Sequence, residues 1–366
     1  MLADVLSATV PTIVPAAVAV IAVDGEVVAA EAAGELVRYT DPDGTLAPVR
    51  PPARRDSVFD LASISKLFTT SVILSLVAEG RLDLDAPVAT WLPAFYADRP
   101  HITLRHLLTH TAGLQPTHRV DHVSPAARMD TILATPITSP VGGPYLYTDV
   151  GMVTVGRIAE IAGAAPLDEL VRARVTEPLG LTDTAYRRLP FREDTSPLPP
   201  SGDAGPSRDP LASTGQGHAP ADVSRIAKTE CHRAIGEVHD ETAHSLGGVA
   251  GHAGVFSTAD DVLRYGEALR LGHLPLTDEM TRDHDVKNAP FRHGLGVRIG
   301  DPAVVGPLTD AFGHSGFTGT SLLVDRARRL TVVLLTNAVH PVRGRPGIRE
   351  LRHAVAAEAL QIVFRP

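Results

Sequence analysis

The chain has 366 residues, of which 44% are hydrophobic and 21% are charged, both close to the averages of globular proteins. This length and composition supply a sizeable core and exclude a chain that is mainly disordered. The formal net charge of −8 makes nucleic acid a poor partner, because binding a phosphate backbone requires a basic face. The single cysteine, Cys231, excludes an intramolecular disulfide.

The beginning of the chain lacks the features of a secretion signal or a membrane anchor. Its first residues include no basic region, and the apolar run 16–23 is far too short to cross a bilayer. We therefore expect a cytoplasmic protein without a membrane partner. The length allows two or three domain-sized units, or one large α/β body with an insertion.

The predicted elements, in chain order, begin with a β-hairpin over 16–23 and 26–33, because Asp24-Gly25 supplies the positive φ values of a tight turn. Helices follow, predicted from apolar spacing and from the glycines that end them, over 67–79, 88–95, 104–108, 150–162, 167–175 and 259–271. Strands are then predicted over 294–299, 311–316, 320–325 and 330–336, and a final helix over 348–363.

This order of elements predicts an α/β fold in which one sheet is built from both ends of the chain. The helices concentrated in the middle of the chain then form an insertion in that sheet structure. The stretch 195–221 is rich in proline, glycine and serine, and it predicts a loop or a flexible flap rather than a packed element.

The segment around Ser63 is the sharpest candidate for chemistry. Ser63 stands at the start of an apolar predicted helix, and Lys66, three residues later, lies on the same helix face. A serine hydroxyl needs a base to become a nucleophile, and a lysine can serve where its pKa is lowered. The N–H groups at the helix N-terminus could bind a developing oxyanion. The alternative is that Ser63 only caps the helix and Lys66 is a solvated surface residue.

Tyr147 and Asp149 form a second candidate, directly before the predicted helix 150–162. A tyrosine at a helix entry can act as a general acid or base where cations depress its pKa. Asp149 either orients Lys66 or caps the helix. The alternative for Tyr147 is a half-buried structural tyrosine.

The third candidate is the run His314-Ser315-Gly316 in a glycine-rich predicted strand. Small residues in a strand let a ligand or another segment approach the backbone closely. His314 and Ser315 could contact a substrate carboxylate or carbonyl. The alternative is an ordinary glycine-rich strand and turn.

Several histidines suggest a metal site without fixing one. His106 and His110 lie one helical turn apart, and His239, His244 and His252 form a second group. A catalytic zinc site needs three protein ligands with supporting partners, and nothing in the sequence fixes the third. We therefore expect no metal.

Taken together and in this order, the three motifs resemble those of the serine β-lactamase and penicillin-binding-protein superfamily. The chain is most similar to the class C β-lactamase-related serine hydrolases, which include esterases, D-peptidases and acyltransferases. The segments 80–88, 102–114 and 247–261 also resemble that family. The similarity thus covers nearly the whole chain from about residue 15 onward.

The resemblance implies a β-lactamase/transpeptidase-like α/β fold, with an antiparallel sheet flanked by helices and an inserted, mainly helical domain. Residues 1–75 and 245–366 would form the α/β domain, and residues 76–244 would form the inserted domain. The active site would lie in the groove between the two. No cofactor or metal is implied.

The resemblance also implies a role for each motif residue. Ser63 would attack an acyl carbonyl and carry the acyl group as an ester, while Lys66 and Tyr147 would share the proton transfers. The backbone N–H groups of Ser63 and Phe317 would form the oxyanion hole, in which one donor is typically worth about 2.7–4 kcal/mol. The substrate-binding residues would be Asp149, His314, Ser315 and Gly316.

Two departures from the family pattern bear on the substrate. The antibiotic-hydrolysing members have Tyr-x-Asn and Lys-Thr-Gly where this chain has Asp149 and His314. A fixed cation anchors the carboxylate of a β-lactam, whereas a histidine is only partly charged near neutral pH. We therefore do not expect efficient β-lactam hydrolysis, and we rank a β-lactamase or a D-peptidase below an esterase or an acyltransferase.

The expected function is a serine-dependent esterase or amidase that acts on a small-molecule ester or amide. The alternative is an acyltransferase that passes the acyl group to an amine or alcohol in natural-product biosynthesis. A non-catalytic binding module is a third possibility. The oligomeric state is left open.

Overall fold

A computed structural model describes residues 1–189 and 222–364 of the chain. The predicted loop 195–221 therefore lies outside the described residues. Within the described part of the chain, no single helix is both long and apolar enough to cross a membrane.

The strands of the described residues form a larger and a smaller sheet. In chain order they are β1 (Ala16–Val23), β2 (Glu26–Gly34), β3 (Phe59–Asp60), β4 (Ala185–Tyr186), β5 (Val255–Ser257), β6 (Arg292–His293), β7 (Arg298–Ile299), β8 (Phe312–Ser315), β9 (Ser321–Asp325) and β10 (Leu330–Thr336). The larger sheet has the order β2-β1-β10-β9-β8-β7-β6, and every neighbouring pair is antiparallel. The smaller sheet has the order β3-β5-β4.

The α-helices of the same residues lie mainly between the two strand-rich ends. They are α1 (Leu2–Thr9), α2 (Ser65–Ala78), α3 (Pro93–Tyr96), α4 (Leu104–Leu108), α5 (Arg128–Leu133), α6 (Asp149–Gly163), α7 (Leu167–Val171), α8 (Glu177–Leu179), α9 (Glu241–Ser245), α10 (Ala259–Leu271), α11 (Thr277–Thr281) and α12 (Ile348–Phe364). Short 3-10 helices span Ala62–Ile64, Val88–Thr90, Pro125–Ala127 and Val223–Arg225, and a π-helical turn spans Arg172–Thr176.

The larger sheet buries apolar residues on both faces, which explains the unbroken apolar sequence of β1. Side chains alternate between the faces of a strand, so Val18 and Val20 pack into the core that contains α2 and α10. Ala19 and Ile21 point to the other face and pack with α1 and α12. A strand that is covered on both sides loses the polar alternation of a half-exposed strand.

The smaller sheet fixes the turn before α2, where Ser63 lies. Phe59 pairs with Ser257, and the Leu61 N–H donates to the Val255 carbonyl oxygen at 2.9 Å. Helix α2 follows at once and packs against α6, with nearly all of its residues buried. The lack of a polar face on α2 therefore reflects burial on every side.

The predicted α/β architecture, with an antiparallel sheet drawn from both ends of the chain, is confirmed. The predicted strand 294–299 is wrong over its first half, since the chain turns between β6 and β7. Gly296 has a φ of +64° there, and its N–H donates to the Leu108 carbonyl oxygen at 2.9 Å. The predicted helix 167–175 is interrupted by the π-helical turn. The domain boundaries at residues 75 and 245 stay a prediction.

Candidate active site

Ser63 lies in the turn between β3 and α2, within the 3-10 helix Ala62–Ile64. The preceding residue, Ala62, has a left-handed φ of +47°, which costs free energy for any residue but glycine. Asp60 holds this conformation, because its Oδ1 accepts the Ala62 N–H at 2.8 Å. Helix α2 has no side-chain cap, so Ser63 is not a capping residue.

The buried Asp60 carboxyl lies behind the turn that carries the serine. Its second oxygen accepts the His239 N–H at 2.7 Å, so that this side chain ties β3 to the segment around residue 239. Burial raises the pKa of Asp60 to about 6, although two backbone N–H groups favour its charged form. Sequence reasoning missed Asp60, because a lone aspartate before a serine forms no motif.

Lys66 is fully buried, and its ammonium group lies close to three oxygen atoms. Its Nζ lies 2.8 Å from Ser63 Oγ, 2.8 Å from Asp149 Oδ1 and 3.3 Å from the His252 carbonyl oxygen. Burial alone would lower the pKa of Lys66, but Asp149 and Tyr147 outweigh burial and raise that pKa above its ordinary value. Lys66 is therefore a buried cation, and the lowered pKa that a lysine base requires is not present.

Tyr147 supplies the second contact to the serine. Its hydroxyl donates to Ser63 Oγ at 3.0 Å. Its ring lies beside two cations, since Lys66 Nζ is 4.9 Å and Arg298 Cζ is 4.7 Å from the ring centroid. Tyr147 thus faces both the serine and two cations.

Asp149 orients Lys66 and does not cap the helix that it begins. The cap of α6 is Thr148, whose Oγ1 accepts the Gly151 N–H at 3.2 Å. The Asp149 side chain is 20% exposed and forms the ion pair with Lys66. Its contact with a substrate stays a prediction.

The end of β8 packs directly against the serine turn. A Cβ atom on Gly316 would lie 2.4 Å from the Leu61 carbonyl oxygen, so only glycine permits this approach. Thr318 Oγ1 donates to the Asp60 carbonyl oxygen at 2.7 Å and fastens the two segments together. Phe317 is therefore held beside the turn that carries Ser63. The pairing of their backbone N–H groups as an oxyanion hole stays a prediction.

His314 is buried beneath the site, with its ring centroid 6.1 Å from that of Tyr147. Its Nδ1 lies 2.8 Å from the carbonyl oxygen of Ser315, which is itself only partly buried. Burial and the nearby Arg298 and Lys66 cations lower the pKa of His314 well below its usual range. The expectation that His314 is partly charged near neutral pH is therefore wrong, and this imidazole supplies no cation.

Arg298 on β7 supplies the cation that His314 does not. It lies opposite Gly313 in the register of β7 and β8, and it pairs with Asp301 at 2.9 Å. Burial would lower the pKa of Arg298, but Tyr147 and Asp301 raise that pKa, so the guanidinium stays charged. Its Nε is buried and has no hydrogen-bond partner among the described residues. Sequence reasoning missed Arg298, because only the pairing of strands brings it to Tyr147.

The histidines considered for a metal have other partners. His110 lies 4.7 Å from the Tyr147 ring, centroid to centroid, and its Nδ1 accepts the Thr148 N–H at 3.3 Å. His239 bonds to Glu230 at 2.9 Å, and His252 bonds to Asp240 at 2.8 Å. Across residues 1–189 and 222–364, no three His, Cys, Asp or Glu side chains are grouped to hold a metal ion.

The site thus holds a serine hydroxyl between a lysine cation and a tyrosine hydroxyl, beside an exposed strand end. The family model for β-lactamases matches residues 11–357. The chain therefore belongs to the β-lactamase family of serine hydrolases and is an enzyme. The resemblance to the β-lactamase family that the sequence motifs indicate is confirmed. The prediction of an enzyme rather than a binding module is also confirmed.

Curated relatives of the chain carry a peptidase name. The chain is 28% identical over 351 residues to a protein of Escherichia coli (strain K12) named "Putative D-alanyl-D-alanine carboxypeptidase", a match that covers 87% of this chain and 77% of the relative. A protein of Salmonella enteritidis with the same name is 28% identical over 359 residues, covering 89% and 79%.

Solved structures agree on the fold. EstCE1, described as a hydrolase with promiscuous acyltransferase activity, is 24% identical, with a TM-score of 0.67 and coverage of 96% of this chain and 97% of its own. A penicillin-binding-protein homologue from Caulobacter crescentus is 22% identical, with a TM-score of 0.69 and coverage of 99% and 96%. The β-lactamase/transpeptidase-like architecture expected from the sequence is confirmed.

Proposed function

We propose that the protein is an acyl hydrolase of esterase or amidase type that works through a covalent ester on Ser63. The observation that carries this proposal is the pair of hydrogen bonds that Ser63 Oγ receives, from Lys66 Nζ at 2.8 Å and from Tyr147 at 3.0 Å. Covalent catalysis requires a nucleophile with proton-transferring groups within this distance. The substrate is a small-molecule ester or amide.

In the proposed reaction, Tyr147 first gives its hydroxyl proton to water, and its oxygen then takes the Ser63 proton while Ser63 Oγ forms a bond to the acyl carbon. Lys66 is already an ammonium group that donates to Ser63 Oγ and the His252 carbonyl oxygen and pairs with Asp149. Tyr147 is therefore the better proton acceptor of the two. The bond from the acyl carbon to the leaving oxygen or nitrogen then breaks, and Tyr147 returns the proton to that atom. Water attacks the ester in the same way, releases the acid and restores the Ser63 hydroxyl.

The test is the mass of the intact protein after mixing with an activated ester such as p-nitrophenyl acetate. The wild type is expected to gain the mass of one acetyl group, and Ser63→Ala is expected to gain none. Ser7→Ala, an exposed serine of α1, serves as the matched control and should label like the wild type. Equal labelling of Ser63→Ala, or no label on the wild type, would contradict the proposal. Loss of the label that accelerates with added amine or alcohol would instead favour the acyltransferase.

Arg298 favours a narrower candidate, a carboxypeptidase acting on D-amino-acid peptides. Its guanidinium lies over Tyr147, the residue that protonates the leaving group, and the Arg298 side chain is 19% exposed. A leaving group with a free carboxylate could bind there through charge-assisted hydrogen bonds. The name of the curated relatives agrees with this substrate class.

We expect the wild type to prefer an acyl-D-Ala-D-Ala peptide over the same peptide with a carboxamide end. Arg298→Gln should lower this carboxylate-to-amide ratio of kcat/KM by about 10- to 100-fold, because hydrogen bonds to charged groups are worth about 1.5–3 kcal/mol. Arg292→Gln, on the neighbouring strand β6, removes an exposed arginine as the control. A wild-type carboxylate-to-amide ratio near one, with ester turnover intact, would contradict the carboxypeptidase proposal and leave the esterase proposal standing.

A further inference from the structure

Phe317 presents an aromatic ring at the mouth of the site. Phe317 is 63% exposed and lies two residues after the end of β8. The backbone of the same residue is placed beside Ser63 by the contacts of Gly316 and Thr318. An exposed apolar side chain on a backbone segment that packs against the serine turn is a candidate contact for the substrate.

The Phe317 ring is supported on one side by two side chains, His239 and Arg343. His239 stacks on the ring with centroids 5.6 Å apart and an angle of 20° between the planes, and Arg343 Cζ lies 5.8 Å from the ring centroid. Glu230 bonds to both supports, to His239 Nε2 at 2.9 Å and to Arg343 Nε at 3.0 Å. Glu241 also pairs with Arg343, at 2.7 Å. These contacts therefore fix one side of the Phe317 ring, and the exposed surface of the ring faces away from His239 and Arg343.

The position of Phe317 just after β8 indicates which part of a substrate its side chain would contact. His314, three residues earlier, lies next to Tyr147, and Arg298 lies over the same tyrosine. Phe317 lies beyond the end of β8, in the turn that the hydrogen bond from Gly319 N–H to the Gly316 carbonyl oxygen closes. Its ring contacts His239 and Arg343 there. In the proposed reaction Tyr147 protonates the leaving group, so the leaving group binds at the end of the site where His314 lies next to Tyr147. The acyl group then binds at the other end, beside Phe317.

We propose that Phe317, supported by His239 and Arg343, is the acyl-group specificity residue and binds an aromatic or planar apolar acyl substituent. This inference rests on the proposed acyl-serine reaction. Aromatic rings attract one another in offset or tilted arrangements beyond the effect of buried area. The fixed ring loses little side-chain freedom when a substrate binds, since its supports already hold it.

The test compares p-nitrophenyl phenylacetate with p-nitrophenyl acetate, which share a leaving group and differ only in the acyl substituent. Phe317→Ala should lower the phenylacetate-to-acetate ratio of kcat/KM by about ten-fold. Phe317→Trp should restore most of that ratio, because it restores an aromatic surface. Phe364→Ala removes an equally exposed phenylalanine at the end of α12 and should leave the ratio unchanged.

The failure of this inference differs from the failure of the proposed function. If the ester labels Ser63 but Phe317→Ala keeps the wild-type ratio within two-fold, the acyl-group assignment is overturned while the acyl-serine reaction stands. If Ser63 is not labelled at all, the proposed function fails first. A ratio that falls in Phe317→Ala and also stays low in Phe317→Trp would overturn the aromatic contact, because it would indicate a disturbed strand end.

Discussion

Replacing Lys66 by methionine is expected to lower kcat for an activated ester by roughly 10⁴-fold, about as far as Ser63→Ala does. The Lys66 ammonium contacts Ser63 Oγ and lies 4.9 Å from the Tyr147 ring, so the three side chains act as one unit. Methionine fills the same buried space without the charge. The measurement is the initial rate with purified variants, corrected for uncatalysed hydrolysis.

The double variant Ser63→Ala/Lys66→Met separates a shared role from two independent ones. Residues that act as a unit show strongly non-additive losses, so the double variant should be no slower than either single variant. Lys287→Met, an exposed lysine, is the matched control and should keep the wild-type rate. A Lys66→Met enzyme that keeps a tenth of the wild-type kcat would remove Lys66 from the mechanism.

The residues of the nucleophile region could be predicted because their chemistry is local in sequence. Ser63 and Lys66 are three residues apart in a helical segment, so spacing alone places them together. Tyr147 and Asp149 stand at the start of an apolar helix, and the structure places both side chains at Lys66. The sequence left open whether Asp149 orients the lysine or caps the helix, because both uses suit an aspartate at that position.

The residues that the sequence missed come together only through strand pairing. Arg298 reaches Tyr147 because β7 pairs with β8, and nothing in the neighbourhood of a lone arginine indicates that. The sequence places His314 among the candidates but does not predict its lowered pKa, which results from burial beside two cations. The strands of the smaller sheet have only two or three residues each, which is too short to show an alternating pattern.

Removing the carboxylate that faces Lys66 is expected to destabilise the fold. Asp149→Ala leaves a fully buried ammonium without its counter-ion, and breaking a buried pair in this way typically costs about 3–5 kcal/mol. The Asp149 side chain is 20% exposed, so we expect the lower end of that range for the free energy of unfolding at pH 7. Urea unfolding followed by circular dichroism measures it.

The double variant Lys66→Met/Asp149→Ala tests whether the loss comes from the unpaired charge. With no charge left to bury, it should regain about 2 kcal/mol relative to Asp149→Ala, because apolar residues of similar volume replace buried ion pairs at little cost. Asp149→Asn keeps the shape and an acceptor for Lys66 but not the charge, and should fall between the wild type and Asp149→Ala. Additive losses in the double variant would show that Asp149 matters for packing rather than for charge.

The loss of stability in Asp149→Ala is expected to depend on pH. In the wild type the pKa of Lys66 is raised, so the stability from the ion pair is fully present below the unfolded pKa of about 10.4 and is lost only as pH rises through the folded value. In Asp149→Ala, burial without the counter-ion depresses that pKa, so stability from this group is lost as pH falls. The gap between the two proteins should therefore narrow as pH rises from 7 toward 10. A gap that stays constant over this range would show that Lys66 is not the charge that Asp149 compensates.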